Sequence, residues 1–277
     1  MTQLQINATR LFADLAELAH FTEPDTPGWS RRFPSAAYRQ GRDWLIAQMQ
    51  RAGLTTQLDL AGNLFGRRPG SADLPPIHAG SHTDTVMGAG RYDGMLGVLA
   101  ALEAARALEE AGIRLRHPLV VADYLSEEAT DYAVACMGSL AMCTADFRPE
   151  WLERTVNGLS LREAISEMGG QPDQLGEPLV QPGEIAASLE LHIEQGPVLA
   201  ARGAKLAAVS GIVGIRRALV ELRGKANHAG ATPMDLRQDP LAGAAQLTLA
   251  VQQTARSPPG AGGTAGRGHR LGAQAAL

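Results

Sequence analysis

Residues 77–97, IHAGSHTDTVMGAGRYDGMLG, limit more than any other stretch what this chain can fold into. The run opens on a few apolar residues, the signal of a short buried strand. It then delivers His82, Asp84 and Asp93 in a glycine-rich loop. From Gly94 to Gly112 small and apolar residues recur at helical spacing: Met95, Val98, Leu99, Leu102, Ala105 and Leu108. Glu103, Arg106, Glu109 and Glu110 would form the polar outer stripe of that helix. An imidazole and carboxylates held where a strand ends are the raw material of a metal site.

The flanking sequence supplies more strands and helices. Leu11, Leu15, Leu18 and Ala19 predict an amphipathic helix over residues 7–20. Residues 21–34, with three prolines and a glycine, read as a loop. Ser35 caps a second helix running to Ala52, and Gly53 stops it. Leu54, Thr56, Leu58 and Leu60 alternate as a strand before a turn at Ala61, Gly62 and Asn63, and residues 67–76 read as a loop. Residues 118–125 form an apolar run suited to a central strand, ending at Ser126, Glu127 and Glu128. A short helix is expected over residues 136–143 and another over residues 159–168. Residues 187–194 alternate, with Leu189, Leu191 and Ile193 on one face and Glu190, His192 and Glu194 on the other, until Gln195, Gly196 and Pro197 break the strand. Strands alternating with helices indicate an α/β fold whose working groups lie at strand ends.

The character changes near Gly211. Residues 211–214 read as a hinge, residues 215–223 as a strand and residues 227–230 as a loop. Asp239 and Pro240 then begin an Ala-rich helix through Ala255. Residues 257–277 are dominated by Gly, Ala, Pro and Arg and read as a low-complexity, disordered tail. The expected organisation is therefore 1–211 as the N-terminal part of a catalytic metal-binding domain, 212–256 as the start of a second domain, and 257–277 as tail.

Composition excludes several classes. A net charge of −4 with both signs interspersed gives no basic face for nucleic acid. No apolar run approaches a membrane span, and the N-terminus has no signal pattern, so the expected location is the cytoplasm. Cys136 and Cys143 make no disulfide framework and read as two reduced core thiols. Aromatic residues are only 4% of the chain, so the core must rest on Leu, Val, Ile, Ala and Met. Gly88, Ala89 and Gly90 lack the third glycine and the Lys-Ser/Thr pair of a phosphate loop.

His82, Asp93, Glu127, Glu128 and His192 thus come from three segments at strand ends. Nitrogen and oxygen donors without thiolate suit Zn, Mn, Co or Ni. Glu127 and Glu128 are adjacent, so their side chains diverge; one can bind metal while the other acts as a base. Asp84 is placed to orient the imidazole of His82. Each residue alone has an ordinary reading, a satisfied His or a solvated Glu pair. Their joint placement is what favours a site.

The segments GSHTDTV, GRYDGMLGV, LSEEA, LELHIEQGPVL and NHAGATPMDLRQDP resemble, in that order, those of the M20 metallopeptidase superfamily. The likeness runs over residues 5–255. It is strongest to the amidase, hydantoinase and carbamoylase branch, which includes N-carbamoyl-L-amino-acid hydrolases, allantoate amidohydrolases and β-ureidopropionases. The resemblance implies an α/β/α metallohydrolase catalytic domain with a smaller α+β lid, or dimerisation, domain that is incomplete here. It implies two divalent metal ions, a small carbamoyl or ureido substrate and a homodimer. His82 and His192 would bind one ion, Asp93 would bridge the two, and Glu128 would bind the second. Glu127 would be the general base and Asp84 the support of His82. Gln195, Asn227 and His228 would contact substrate, with His228 stabilising an oxyanion in the partner subunit's site. Peptidase members carry an acidic ligand where this chain has His192, which favours amidohydrolase over peptidase. The alternatives are an M20-type peptidase or other amidase, and an inactive truncated fragment.

Two departures qualify the resemblance. The family continues past the Ala-rich helix to a further His ligand and a carboxylate-binding Arg. This chain has neither in a matching context, His269 lying among unrelated residues. The expectation is a frameshift or early stop near Arg256, with a full ligand set for only one ion, an exposed lid edge, and a chain that is poorly soluble and weakly active or inactive alone. Ala129, Thr130, Asp131 and Tyr132 also replace the sequence usual after the acidic pair in carbamoylases, which implies a different substrate preference.

Overall fold

The computed structural model describes residues 4–143, 147–212 and 218–256. The chain divides into two units, residues 1–207 and 208–277.

In the first unit the caps set the opening helices. Helix α1 (Ala8–Leu18) starts where the Asn7 side chain accepts the Arg10 N–H. Helix α2 (Ala36–Arg51) starts where the Ser35 hydroxyl accepts the Tyr38 N–H. A β-hairpin follows, β1 (Thr55–Leu58) and β2 (Leu64–Arg68). Strand β3 (Ile77–Ser81) leads into helix α3 (Met95–Glu110) and strand β4 (Leu119–Asp123). Helix α4 (Met137–Cys143), a two-residue hairpin of β5 (Thr155–Val156) and β6 (Leu159–Ser160), and helix α5 (Leu161–Glu167) come next. Strand β7 (Ala187–Leu189) and helix α6 (Val198–Ala201) complete the unit.

The main sheet has the order β1-β2-β4-β3-β7. Strands β1, β2 and β4 pair antiparallel, whereas β4, β3 and β7 run parallel. Every residue of β4 is buried, as its apolar run predicts. Leu11, Leu15 and Leu18 of α1, Leu45 and Met49 of α2, and Val98, Leu99 and Leu102 of α3 form one core over the sheet. Gly80 is required within β3, because a Cβ there would lie 2.0 Å from the Ala122 carbonyl oxygen.

Several elements differ from the sequence reading. Strand β2 lies where the sequence reads as a turn followed by a loop; Leu64 and Phe65 are buried while Arg67 and Arg68 turn the pattern polar at its end. Glu103 and Arg106 are buried rather than on an outer stripe. Helix α1 covers them: Glu103 accepts from Arg10 Nε at 2.7 Å and from the Asn7 N–H at 2.8 Å, and Arg106 pairs with Asp14. The strand over residues 187–194 stops at Leu189, opposite Ala79, although β3 itself runs on to Ser81. Beyond it the Leu191 carbonyl packs so close to α3 that a Cβ on Gly97 would meet it at 2.3 Å. Both cysteines are free, but neither is core: Cys136 is half-buried and Cys143 exposed.

In the second unit, helix α7 (Pro240–Arg256) begins as its sequence predicts, with Asp239 Oδ1 accepting the Leu241 N–H at 2.9 Å. The strand expected over residues 215–223 is absent from its described part, residues 218–223. A strand needs a pairing neighbour, and the described residues of this unit contain none. Residues 215–217, part of the expected hinge and the expected tail lie outside the described residues.

Candidate metal centre

Because β4, β3 and β7 are parallel neighbours, their carboxyl ends fall along one edge of the sheet, where open α/β folds place their sites. His82 follows β3 directly, the acidic pair follows β4 and His192 follows β7. His82, Asp93 and His192 each offer one ligand atom, and these atoms lie within 4.8 Å of one another. His192 Nε2 is 3.3 Å from Asp93 Oδ1, and the two imidazoles stack with centroids 5.8 Å apart. Gly94 makes the approach possible: its φ is 70°, and a Cβ there would sit 2.4 Å from His82 Nε2.

The tautomer of His82 follows from its neighbour. Nδ1 lies 3.0 Å from the Asp84 carbonyl oxygen, an acceptor only, so Nδ1 carries a proton and donates. In the neutral ring Nε2 is then the ligand atom. Burial disfavours charge on His82, but the Asp84 bond and the negative charges of Asp84 and Glu127 outweigh it and push the imidazole up to about 9. Without a cation the ring is therefore protonated at neutral pH.

The Asp84 carboxylate does something the sequence reading did not include. It is 3.6 Å from His82 Nδ1, farther than its own carbonyl. Its two oxygens instead accept the backbone N–H groups of Glu127 at 3.1 Å and Glu128 at 3.0 Å. The residue that adjoins the first histidine thus fixes the loop carrying the acidic pair. Around it, Asp123 accepts from Thr83 Oγ1 at 2.9 Å and from Arg42 Nε at 3.1 Å. Arg31, buried, donates to the Thr83 carbonyl at 2.8 Å; burial pushes its guanidinium down to about 10. Arg31, Arg42 and Thr83 look like solvated polar residues in the sequence; Asp123 carries a signal, a carboxylate inside the apolar run of residues 118–125.

Glu127 Oε2 lies 3.6 Å from His82 Nε2. Glu128 is not within the three-residue ligand cluster. Burial raises its carboxyl above the usual range; the His82 charge opposes this, and Glu127, Asp84 and Asp93 reinforce it. Gln195, at φ 57°, donates from Nε2 to both Asp93 oxygens at 3.0 and 2.9 Å. In the second unit, His228 Nδ1 accepts the N–H groups of Gly230 at 3.1 Å and Ala231 at 3.0 Å. That leaves Nε2 as the protonated nitrogen of a neutral ring. Arg237 Nη2 ties the loop through the His228, Ala229 and Thr232 carbonyls. Asn227 is exposed beside it.

Two imidazole nitrogens and a carboxylate oxygen, with no thiolate among them, suit a divalent cation of intermediate hardness. The group stands at the ends of the parallel strands of an α/β sheet, a place where a cation, if held, would serve hydrolysis. The chain belongs to peptidase family M20/M25/M40, whose model matches residues 69–271. The match reaches into the segment that composition sets apart as a tail. An N-carbamoyl-L-amino acid amidohydrolase of Geobacillus stearothermophilus is 39% identical over 95% of this chain and 65% of its own length. A ureidoglycolate hydrolase of Oryza sativa subsp. japonica is 35% identical over 90% of this chain and 52% of its own. The crystal structure of a hydantoinase/carbamoylase family amidase from Burkholderia ambifaria superposes with a TM-score of 0.73 at 34% identity, over 91% of this chain and 61% of that one. The chain thus spans between half and two thirds of the length of each of these proteins.

Proposed function

We propose that this chain carries the catalytic residues of a metal-dependent hydrolase that cleaves a linear C–N amide bond in a carbamoyl or ureido substrate, such as an N-carbamoyl-L-amino acid or allantoate. The observation that carries the proposal is the His82–Asp93–His192 cluster with the Glu127 carboxylate beside it. The names of the relatives supply the substrate class. His82, His192 and Asp93 would hold one cation, and Asp93 with Glu128 would hold a second; Zn, Mn, Co and Ni all suit these donors. A divalent cation supplies Lewis acidity there, lowering the pKa of water and polarising the substrate carbonyl.

The chain's own residues do the rest. Glu127 takes the proton of the attacking water as the new C–O bond forms, then passes it to the nitrogen as the C–N bond breaks. Asp84 holds the peptide groups of Glu127 and Glu128, and so sets where the base sits. Gln195 stands on Asp93 at the rim, where it can meet substrate. His228, protonated at Nε2, suits the stabilisation of an oxyanion, and Asn227 adjoins it. With a carbamoyl substrate the products are the amine or amino acid, ammonia and carbon dioxide. A homodimer in the cytoplasm is the setting we propose for the enzyme.

The test is a panel of N-carbamoyl amino acids, allantoate and dipeptides, assayed with added Mn or Zn. Turnover confined to the carbamoyl and ureido members is expected; turnover of dipeptides alone would replace the proposal with a peptidase. Glu127→Gln is expected to keep its metal and lose turnover, and a near-normal kcat in that variant would remove Glu127 from its role.

A further inference from the structure

The loop after β4 leaves at Glu127 and closes on itself nine residues later, where the Cys136 N–H donates to the Glu127 carbonyl oxygen at 2.8 Å. Cys136 holds a left-handed φ of 53° at this neck. Its Sγ lies 3.4 Å from Glu127 Oε1. The other carboxylate oxygen, Oε2, is the one 3.6 Å from His82 Nε2. The carboxylate is therefore held between a thiol on one side and the metal-centre imidazole on the other.

We infer that Cys136 is a positioning residue for Glu127: its S–H pins Oε1, so that Oε2 is the oxygen presented to the metal centre and the one that takes the proton. The inference rests on the proposed role of Glu127 as base. A thiol suits the task because it is a weak, neutral donor. It orients the carboxylate without neutralising it, as an Arg or Lys would. Burial, with the Glu127 charge and hydrogen bond adding to it, pushes the Cys136 thiol up to about 11. It remains a donor at neutral pH and does not compete for a cation as thiolate.

Two experiments test this. The first needs no turnover: iodoacetamide alkylation of Cys136, followed by mass spectrometry, in the full chain and in Glu127→Gln, with exposed Cys143 as reference in the same sample. Removing the carboxylate charge is expected to speed alkylation of Cys136 by about threefold or more and to leave Cys143 unchanged. Equal rates at Cys136 would overturn the inference. The second compares Cys136→Ala with Cys136→Ser, with metal content and Tm measured for each. The alanine variant is expected to lose roughly five- to tenfold in kcat with KM and metal content held, and serine, which keeps a donor, to recover most of it. Wild-type kcat in Cys136→Ala alongside an inactive Glu127→Gln would overturn the inference, and so would a loss that tracks metal content. Wild-type turnover in Glu127→Gln is a different outcome: it refutes the proposed function, and the positioning role falls with it.

Discussion

Asp84→Asn is the substitution that most directly tests how the centre is built. The native carboxylate is 1% exposed and accepts two backbone N–H groups, at 3.1 and 3.0 Å. Asparagine is nearly isosteric but keeps one acceptor oxygen. Its NH2 must face one of the two N–H groups, so one charge-assisted bond is lost and a buried donor is stranded. A hydrogen bond to a charged group is worth about 1.5–3 kcal/mol, and a stranded buried donor costs about 1–3 kcal/mol. The two describe overlapping losses, so the expected cost is about 2–4 kcal/mol, a large share of the roughly 5–15 kcal/mol that holds a domain folded. Urea unfolding of the metal-free protein at pH 7 measures it. Hydrogen exchange localises it: the amides of Glu127 and Glu128 should lose protection before the strands do. A change below about 0.5 kcal/mol, within the range of ordinary surface substitutions, with both amides still protected, would show that the carboxylate does not hold the loop.

Metal affinity should depend on pH through His82. A cation must displace the proton of an imidazole raised to about 9, so apparent affinity should climb roughly tenfold per pH unit from pH 7 towards 9 in calorimetric titrations. The metal-free protein should behave oppositely. With the folded pKa above the ordinary imidazole value of 6.5, the stability from charged His82 is complete below pH 6.5 and is lost as pH rises through about 9. Gly94→Ala places a Cβ 2.4 Å from His82 Nε2 at a φ of 70°, and should cost about 1–3 kcal/mol in denaturant titrations while weakening metal binding. His78 is buried beside Phe65 with Nδ1 unpaired, and burial, helped by the Arg67 charge, lowers its pKa. Its neutral form is the one the fold accepts, so stability should fall as pH drops below 6.5, and His78→Phe should flatten that acid limb in unfolding curves at pH 5 and 7.

The elements readable from sequence were those with local causes. Asn7 and Ser35 announce α1 and α2 by chemistry within one turn, and the unbroken apolar run of β4 leaves little choice but a central strand. Of the three-residue cluster, His82 and His192 were legible because each follows a strand signal, whereas Asp93 is read from the Gly-rich loop that leads into α3. What was hidden depends on distant partners. Glu103 and Arg106 look like a solvent stripe until α1 brings Arg10 and Asp14 over them. Strand β7 leaves the sheet at Leu189, opposite Ala79, although β3 runs on to Ser81, and alternation within residues 187–194 cannot reveal where that departure falls. Asp84 offered a familiar use beside His82, yet its carboxylate serves amides more than 40 positions away. Cys136 carried no pattern at all; only the closure of its loop on Glu127 sets it apart.

His82 and His192 belong to segments far apart in sequence, and β7 holds the second of them to the sheet by only three residues of pairing. A cation gripped by both would therefore be a topological cross-link as well as a reagent. It would close a loop on the order of 100 residues, for which a covalent bridge would remove about 4–5 kcal/mol of unfolded-state entropy. Stripping the ion should then loosen the edge of the sheet ahead of its centre, with Ala187–Leu189 exchanging first and Leu119–Asp123 last.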